Sequence, residues 1–75
     1  MTSLRTLNTN QTAIIETVIG ENNHAMRLLA LGFTPGSEVS LFKGSILGGP
    51  RVFSVQGSRI ALRDYDAALI HVSVN

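Results

Sequence analysis

The chain changes character at Leu31-Gly32-Phe33-Thr34-Pro35-Gly36, where a helical pattern stops and an alternating, strand-like pattern begins. Gly32 directly follows the helical run, and a glycine there can adopt the left-handed conformation that closes a last helical turn. Pro35 suits the first central position of a β-turn, and Gly36 supplies the positive φ that a type II turn needs at the second. The sequence therefore predicts a helix stop followed at once by a chain reversal.

A short apolar helix is predicted before this junction, over about residues 23–31. The Asn22-Asn23 pair offers an N-cap, and strong helix formers fill the run that follows. Apolar residues recur at helical spacing in two overlapping stripes, which are Ala25, Leu28, Leu29 and Gly32 in one and Met26, Leu29, Ala30 and Phe33 in the other. One short helix on a small sheet cannot bury both stripes, so we expect part of this surface to be exposed or covered by something else.

Five short β-strands are predicted around this helix. A short turn or half-helix is expected before them, and a single helical turn near residues 64–67. Alternating and β-branched stretches predict strands over about residues 13–19, 37–43, 51–56, 59–63 and 69–74. Strands this short are best accommodated in a small barrel with little open edge. The predicted fold class is mainly β, a small α+β domain built as a five-stranded barrel with one inserted helix.

A hairpin is predicted between the third and fourth strands, because Gly57-Ser58 has the Gly-X form of a two-residue type II′ loop. In that register Val55 lies opposite Ile60. Directly opposed residues share a face of the sheet, so one face consists of Phe53, Val55, Ile60 and Leu62, while the other carries Ser54, Gln56, Arg59 and Arg63.

The alternation in two other strands predicts which side chains point inward. The strand over residues 37–43 places Val39 and Leu41 on one face and Ser40 and Phe42 on the other. The last strand is expected to direct Ile70, Val72 and Val74 inward and His71 and Ser73 outward.

Length and composition indicate one domain over residues 1–75. Hydrophobic residues make up 44% of the chain, enough for one core, and no cysteine is present to crosslink it. Six basic and five acidic residues give a net charge of +1, without the basic stripe of a nucleic-acid binder. No apolar run reaches the length of a signal peptide or a membrane span. We therefore expect a cytoplasmic protein that neither inserts into a membrane nor binds nucleic acid.

Catalytic motifs are not found in the sequence. It has no cysteine nucleophile, no nucleophile elbow and no glycine-rich phosphate loop. Asp64 and Asp66 stand where a strand pattern gives way to a helical turn, and we interpret them as helix caps because aspartate favours the N-cap position. A carboxylate pair could instead assist acid–base chemistry or hold a hard cation. We predict that the protein is not an enzyme.

Glu21, His24 and His71 are the residues best suited to bind a metal. Glu21 and His24 lie three positions apart at a predicted helix start and could supply half a site for Fe(II) or another divalent ion. A structural transition-metal site takes about four ligands, and no second pair has ligand spacing. We therefore predict no resident metal or cofactor and interpret both histidines as solvated.

The predicted partner surface combines the helix with the glycine-rich loop at residues 44–50. Large aliphatic side chains are unusual at the centre of such a loop. The candidate contact residues are Met26, Ala30 and Phe33 from the helix and Ile46 and Leu47 from the loop. Exposed contiguous apolar surface marks interfaces. The alternative is that the loop folds over the helix and buries both.

Three segments together resemble one family. They are residues 27–39, Arg-Leu-Leu-Ala-Leu-Gly-Phe-Thr-Pro-Gly-Ser-Glu-Val, residues 47–50, Leu-Gly-Gly-Pro, and residues 59–72, with Arg-Ile-Ala-Leu-Arg and Ala-Leu-Ile-His-Val around a short turn. The pattern resembles FeoA, the small cytoplasmic component of bacterial ferrous iron uptake, from about Leu4 to Val74. Its most specific part is the Gly-Phe-Thr-Pro-Gly junction.

This resemblance implies an SH3-like β-barrel with an inserted helix. It also implies a non-enzymatic accessory or regulator of FeoB, the membrane GTPase that moves Fe(II), which would dock on the cytoplasmic part of that transporter. The apolar helix and the flexible loop could also serve self-association instead of docking. An alternative function is an iron-binding or sensing module, because a similar barrel ends the DtxR-type metal-dependent repressors.

Overall fold

The computed structural model describes residues 2–9, 11–20, 22–45 and 48–74. In chain order its elements are β1 (Thr2–Ser3), a 3-10 turn (Leu4–Thr6), β2 (Thr12–Val18), α1 (Asn23–Ala30), β3 (Glu38–Lys43), β4 (Arg51–Val55), β5 (Ser58–Leu62), α2 (Asp64–Ala67) and β6 (Ile70–Val74). The predicted strands and helices agree with these bounds to within one residue at each end. Within the described ranges, neither helix has the length and apolar character needed to cross a membrane.

The described strands form one six-stranded antiparallel sheet in the order β1-β6-β2-β3-β4-β5. The predicted count of five strands is wrong because it omits β1. That strand pairs Thr2 with Val72 and Ser3 with His71, and two residues are too few to show an alternating pattern. The mainly β class is confirmed, and β1 and β5 stand at the two ends of the strand order.

The core lies between one face of the sheet and three segments that cover it. Leu4 and Leu7 from the N-terminal turn, Leu28 from α1, and Phe33 are all fully or almost fully buried. The strand residues that complete the core are Ala13, Ile15, Val39, Leu41, Phe53, Val55, Leu62, Ile70 and Val72. These include most of the predicted inward positions. Val74 is an exception, 38% exposed, because it is the last residue of β6, beyond the two buried positions of that strand.

The ends of α1 are fixed by hydrogen bonds that the sequence predicted. The side chain of Asn22 accepts a hydrogen bond from the Ala25 N–H at 3.0 Å and caps the first turn. At the other end, the Gly32 N–H donates to Leu29 C=O at 3.1 Å and the Phe33 N–H to Leu28 C=O at 3.2 Å. These two bonds form a Schellman motif, which requires the positive φ of 115° found at Gly32.

The predicted reversal follows directly and is attached to the sheet. Gly36 has a φ of 90°, and the Ser37 N–H donates to Thr34 C=O at 3.1 Å, so the four residues make a β-turn of the expected kind. The Gly36 N–H donates to Ile15 C=O at 2.8 Å, and the Ile15 N–H donates to Ser37 C=O at 2.9 Å. The turn is therefore bound to β2 before β3 begins.

The β4–β5 hairpin differs from the prediction in its loop. Gln56 and Gly57, not Gly57 and Ser58, are the two loop residues, and Val55 pairs with Ser58. Both loop residues have positive φ, 48° and 77°, as in a type I′ turn, whose twist matches that of the strands. The register is thus two residues from the predicted one, and a shift of two leaves the side chains of β4 and β5 on their predicted faces, while Gln56 moves into the loop.

The side chain of Gln56 connects this loop to the turn after the helix. Its Nε2 donates to Thr34 Oγ1 at 3.0 Å and to Ser37 Oγ at 2.8 Å. A non-glycine residue with positive φ is uncommon and carries a small conformational penalty. The two hydrogen bonds offset that penalty and hold the hairpin loop against the Thr34–Ser37 turn.

Candidate functional site

One side of α1 rests on the sheet and the other is open. Ala25 and Leu28 are buried, whereas Met26, Leu29 and Ala30 are exposed, with Met26 at 62%. Positions 26, 29 and 30 lie on one side of a helix, so these side chains form a continuous strip. These three residues are termed the apolar helix surface. They confirm the expectation that the helix cannot bury both of its stripes.

Phe33 does not belong to this surface, although it continues the helical spacing of Met26 and Ala30. The helix ends before Phe33, and the bond from its N–H to Leu28 C=O folds the chain back towards the core. Its ring is fully buried. The prediction of Phe33 as a partner contact is therefore wrong. Ile46 and Leu47 lie outside the described residues, and their part in the surface stays a prediction.

A polar cluster joins α1 to α2 beside the apolar helix surface. Nε2 of His24 contacts Oδ1 of Asp66, and the guanidinium of Arg27 lies 3.5 Å from the same oxygen. Asp66 is only 4% exposed, so its carboxylate depends on these partners. The ring of Tyr65 lies 5.5 Å from the His24 imidazole, centroid to centroid. His24 is therefore a structural partner of Asp66 and not the solvated residue that the sequence predicted.

The interpretation of Asp64 and Asp66 as caps is also wrong. Arg63 occupies the N-cap position of α2 and makes no side-chain capping bond, while both aspartates lie inside the first turn. Asp64 forms a surface ion pair with Arg5 at 3.0 Å. Asp66 is instead drawn into the interface by His24, 42 positions earlier, a separation that no local pattern could reveal.

Arg51 fastens the N-terminal segment to the start of β4. Its guanidinium donates to the Leu7 carbonyl oxygen at 3.4 Å and also to that of Arg5. It lies 5.5 Å from the centre of the Phe53 ring, within cation–π range, and 3.9 Å from Asp64. Arg51 therefore stabilises the packing of the N-terminal segment against β4.

The two predicted metal ligands that the structure describes, His24 and His71, lie in different elements. His24 is in contact with Asp66, and His71 lies in β6 opposite Ser3 of β1 and Thr17 of β2. Glu21 lies outside the described residues. Among the residues that the structure describes, no three His, Cys, Asp or Glu side chains come together as a metal site.

Three cations remain on the outer face of β3 and β5 and their borders. Lys43, Arg59 and Arg63 are exposed, and in the described part of the chain none of them forms an ion pair. The guanidinium of Arg59 lies 3.9 Å from the centre of the exposed Phe42 ring. This places a stacked cation on the solvent side of the sheet.

A family model for the FeoA domain matches residues 2–74. The chain belongs to the FeoA family. The match takes in every element described above, including the helix, the Thr34–Ser37 turn and all six strands. Among curated proteins, no sequence matches the chain significantly.

Two solved FeoA structures share both fold and sequence with this FeoA-family chain. FeoA from Stenotrophomonas maltophilia, solved with zinc, is 32% identical with a TM-score of 0.85 and covers 100% of this chain and 96% of its own. It is described as an SH3-domain protein and a candidate activating factor for ferrous iron transport. A second structure, an iron uptake regulatory protein FeoA, is 26% identical with a TM-score of 0.88 and covers 99% of this chain and 97% of its own.

The same fold occurs within larger regulators. A manganese-dependent transcriptional repressor matches with a TM-score of 0.86 over 99% of this chain but only 41% of its own, at 12% identity. At that identity the likeness concerns the fold alone. It places the FeoA architecture among domains that are also used as parts of metal-dependent repressors.

Proposed function

We propose that this chain is a non-enzymatic, cytoplasmic accessory protein of bacterial ferrous iron uptake that binds the FeoB GTPase-permease. Contact is made through the apolar helix surface, extended by Ile46 and Leu47 of the glycine-rich loop. A role in ferrous iron uptake is supported by membership of the FeoA family and by the relative described as a transport activating factor. The exposure of Met26, Leu29 and Ala30 supports the surface.

The exposed helix strip is the observation that carries this proposal. A contiguous apolar strip on a domain this small is a feature of protein interfaces. The methionine in this strip suits a docking role, since its flexible thioether adapts to a partner's shape. The sequence adds no nucleophile elbow and no phosphate loop, so a binding role is favoured over catalysis.

The helix is also held in a fixed position for binding. Asn22 caps its first turn, the Schellman motif at Gly32 closes its last, and His24 fastens its side to Asp66. A surface that is already ordered loses less conformational entropy on association. The strip is therefore presented as a rigid face and not as a segment that must first fold.

Titration of the purified cytoplasmic part of FeoB against this protein tests the proposal. Met26→Glu is expected to weaken binding by about tenfold or more, because it places a charge within an apolar contact. Phe42→Glu is the matched control, since Phe42 is 49% exposed but lies on β3. Equal binding by native protein and a folded Met26→Glu variant would contradict the proposal.

A separate substitution tests whether the loop contributes to this contact. Leu47→Asp is expected to weaken FeoB binding in the same way if the loop extends the apolar helix surface. If Leu47→Asp binds normally while Met26→Glu does not, the helix alone makes the contact.

Divalent metal binding at His24 is the second candidate function. The contact of His24 Nε2 with Asp66 Oδ1 brings together two donor atoms that bind Zn²⁺ or Fe²⁺, and one FeoA relative was solved with zinc. Arg27, 3.5 Å from the same carboxylate oxygen, opposes a further cation there. The described donors therefore make only part of a site.

Anaerobic calorimetry with Fe(II) separates the two candidate functions. Micromolar binding that disappears in His24→Ala would favour the metal-binding function. Heat that is unchanged by His24→Ala, or no binding at all, would remove it and leave the docking proposal intact.

A further inference from the structure

β5 is a free edge of the sheet. It pairs with β4 along its whole length, and in the described ranges no strand lies on its other side. An edge strand of five residues presents unpaired backbone groups on which another strand can form. The opposite edge strand, β1, has only two residues.

The hairpin register fixes which backbone groups point out of this edge. Residues that flank a two-residue loop form a hydrogen-bonded pair, and such pairs alternate along an antiparallel ladder. Ser58, Ile60 and Leu62 therefore bond to β4. Arg59 and Ala61 direct their N–H and C=O groups outward, where they are available to an added strand.

The residues that offer these backbone groups also expose their side chains. Arg59 and Ala61 in β5, and Arg63 directly after it, share the outer face of the sheet and are exposed. Neither arginine forms an ion pair with any described residue. Stacking over Phe42 covers one face of the Arg59 guanidinium and leaves the N–H groups at its edge for an acceptor.

Charge decides which strand fits this edge. If a second copy paired with it in antiparallel fashion about Ala61, Arg59 of each copy would oppose Arg63 of the other, and opposed like charges destabilise a strand pair. An acidic strand meets both arginines with opposite charge. The edge therefore disfavours self-pairing and favours an acidic partner.

We propose that the β5 edge binds an extended acidic segment of a partner protein by strand addition. The segment places carboxylates opposite Arg59 and Arg63, four positions apart, and a small residue opposite Ala61 between them. Its two intervening side chains lie on the Ile60 side of the sheet and are apolar, because Ile60 is half-buried at that edge. This site does not involve the apolar helix surface and does not depend on the FeoB proposal.

A blocked, fluorescein-labelled peptide, Thr-Glu-Val-Thr-Val-Glu-Thr, is the probe for this edge. Fluorescence anisotropy with the full chain at about 0.15 M salt, where distant charges are screened, gives the affinity. We expect binding by this peptide and a loss of about tenfold or more when its two glutamates are replaced by lysines. The Arg59 and Ala61 amide protons, free in the isolated chain, should exchange more slowly in the complex.

Two protein variants separate strand addition from simple charge attraction. Ala61→Pro removes an N–H that points out of the edge, keeps every charge, and takes no hydrogen bond from the β4 ladder. We expect it to lose binding by about tenfold. The Arg59→Gln, Arg63→Gln double variant should lose binding to a similar degree, with Lys43→Gln as the control that removes a nearby charge outside β5.

The outcomes decide between the alternatives. Peptide binding that is unchanged in a folded Ala61→Pro variant, or in the double arginine variant, overturns the proposal. Absence of binding by the glutamate peptide, or slowed exchange at amides other than those of the β5 edge, also overturns it. Dimerisation through β5 in the absence of peptide would show that a second copy is the occupant instead.

Discussion

The imidazole of His24 lies against the buried carboxylate of Asp66, 42 positions later in the chain, and joins the inserted helix to the single helical turn before β6. Nearly all of Asp66 is removed from solvent, while about a third of the His24 side chain remains exposed. The contact therefore lies on the solvent side of a polar interface between α1 and α2. It holds the helix whose open side forms the apolar helix surface.

Loss of the His24 side chain should destabilise the fold. His24→Ala leaves the Asp66 carboxylate with Arg27 alone, and a buried acceptor that loses a partner costs about 1–3 kcal/mol. Urea unfolding followed by circular dichroism measures the change. His24→Gln keeps a donor at this position and should recover part of the loss. A His24→Ala variant as stable as the native protein would show that the contact contributes nothing.

Substitution of Phe33 should destabilise the fold far more than substitution of Met26, although both residues belong to the same predicted stripe. Phe33→Ala removes a fully buried ring and should lower the free energy of unfolding by about 3–5 kcal/mol. Met26→Ala should change it by no more than about 0.5 kcal/mol because Met26 is exposed. Thermal or urea unfolding of the two variants checks both values. Similar losses in the two would contradict the placement of Phe33.

The turn after the helix should require glycine at position 36 for backbone reasons alone. A Cβ at Gly36 would meet no atom within 4 Å, but its φ of 90° is unfavourable for any other residue. Gly36→Ala should therefore cost about 1–2 kcal/mol. Gly44→Ala is the control, since Gly44 also has open space and its φ is not in the left-handed range. Equal stability of the two variants in urea would contradict the predicted turn geometry.

Local signals predicted the part of the fold that depends on backbone geometry. Gly32 and Gly36 each require a positive φ, and Asn22 caps the helix through its own side chain, so the helix and its reversal could be read from neighbouring residues. Alternation likewise placed the side chains of β3 and of the hairpin on the correct faces. Each of these features is determined by residues that are close together in the sequence.

Features that depend on distant partners could not be read in this way. Gln56 takes a loop position with positive φ, and its side chain bonds to Thr34 and Ser37, two distant residues that no hairpin rule includes. Asp66 follows the pattern of a capping residue, yet it is drawn into an interface by His24. The exposed side of α1 was predicted correctly at Met26 and Ala30 and incorrectly at Phe33, because the Schellman motif turns the chain inward.

Ferrous iron uptake in cells that lack the native chain tests the central claim most directly, namely that this domain acts by presenting the apolar helix surface to the transporter. Cells supplied with the native chain or with Phe42→Glu should take up radiolabelled Fe(II) at the same rate. Met26→Glu, present at an equal level and folded, should restore only a small fraction of that rate. Full uptake with Met26→Glu would contradict the account.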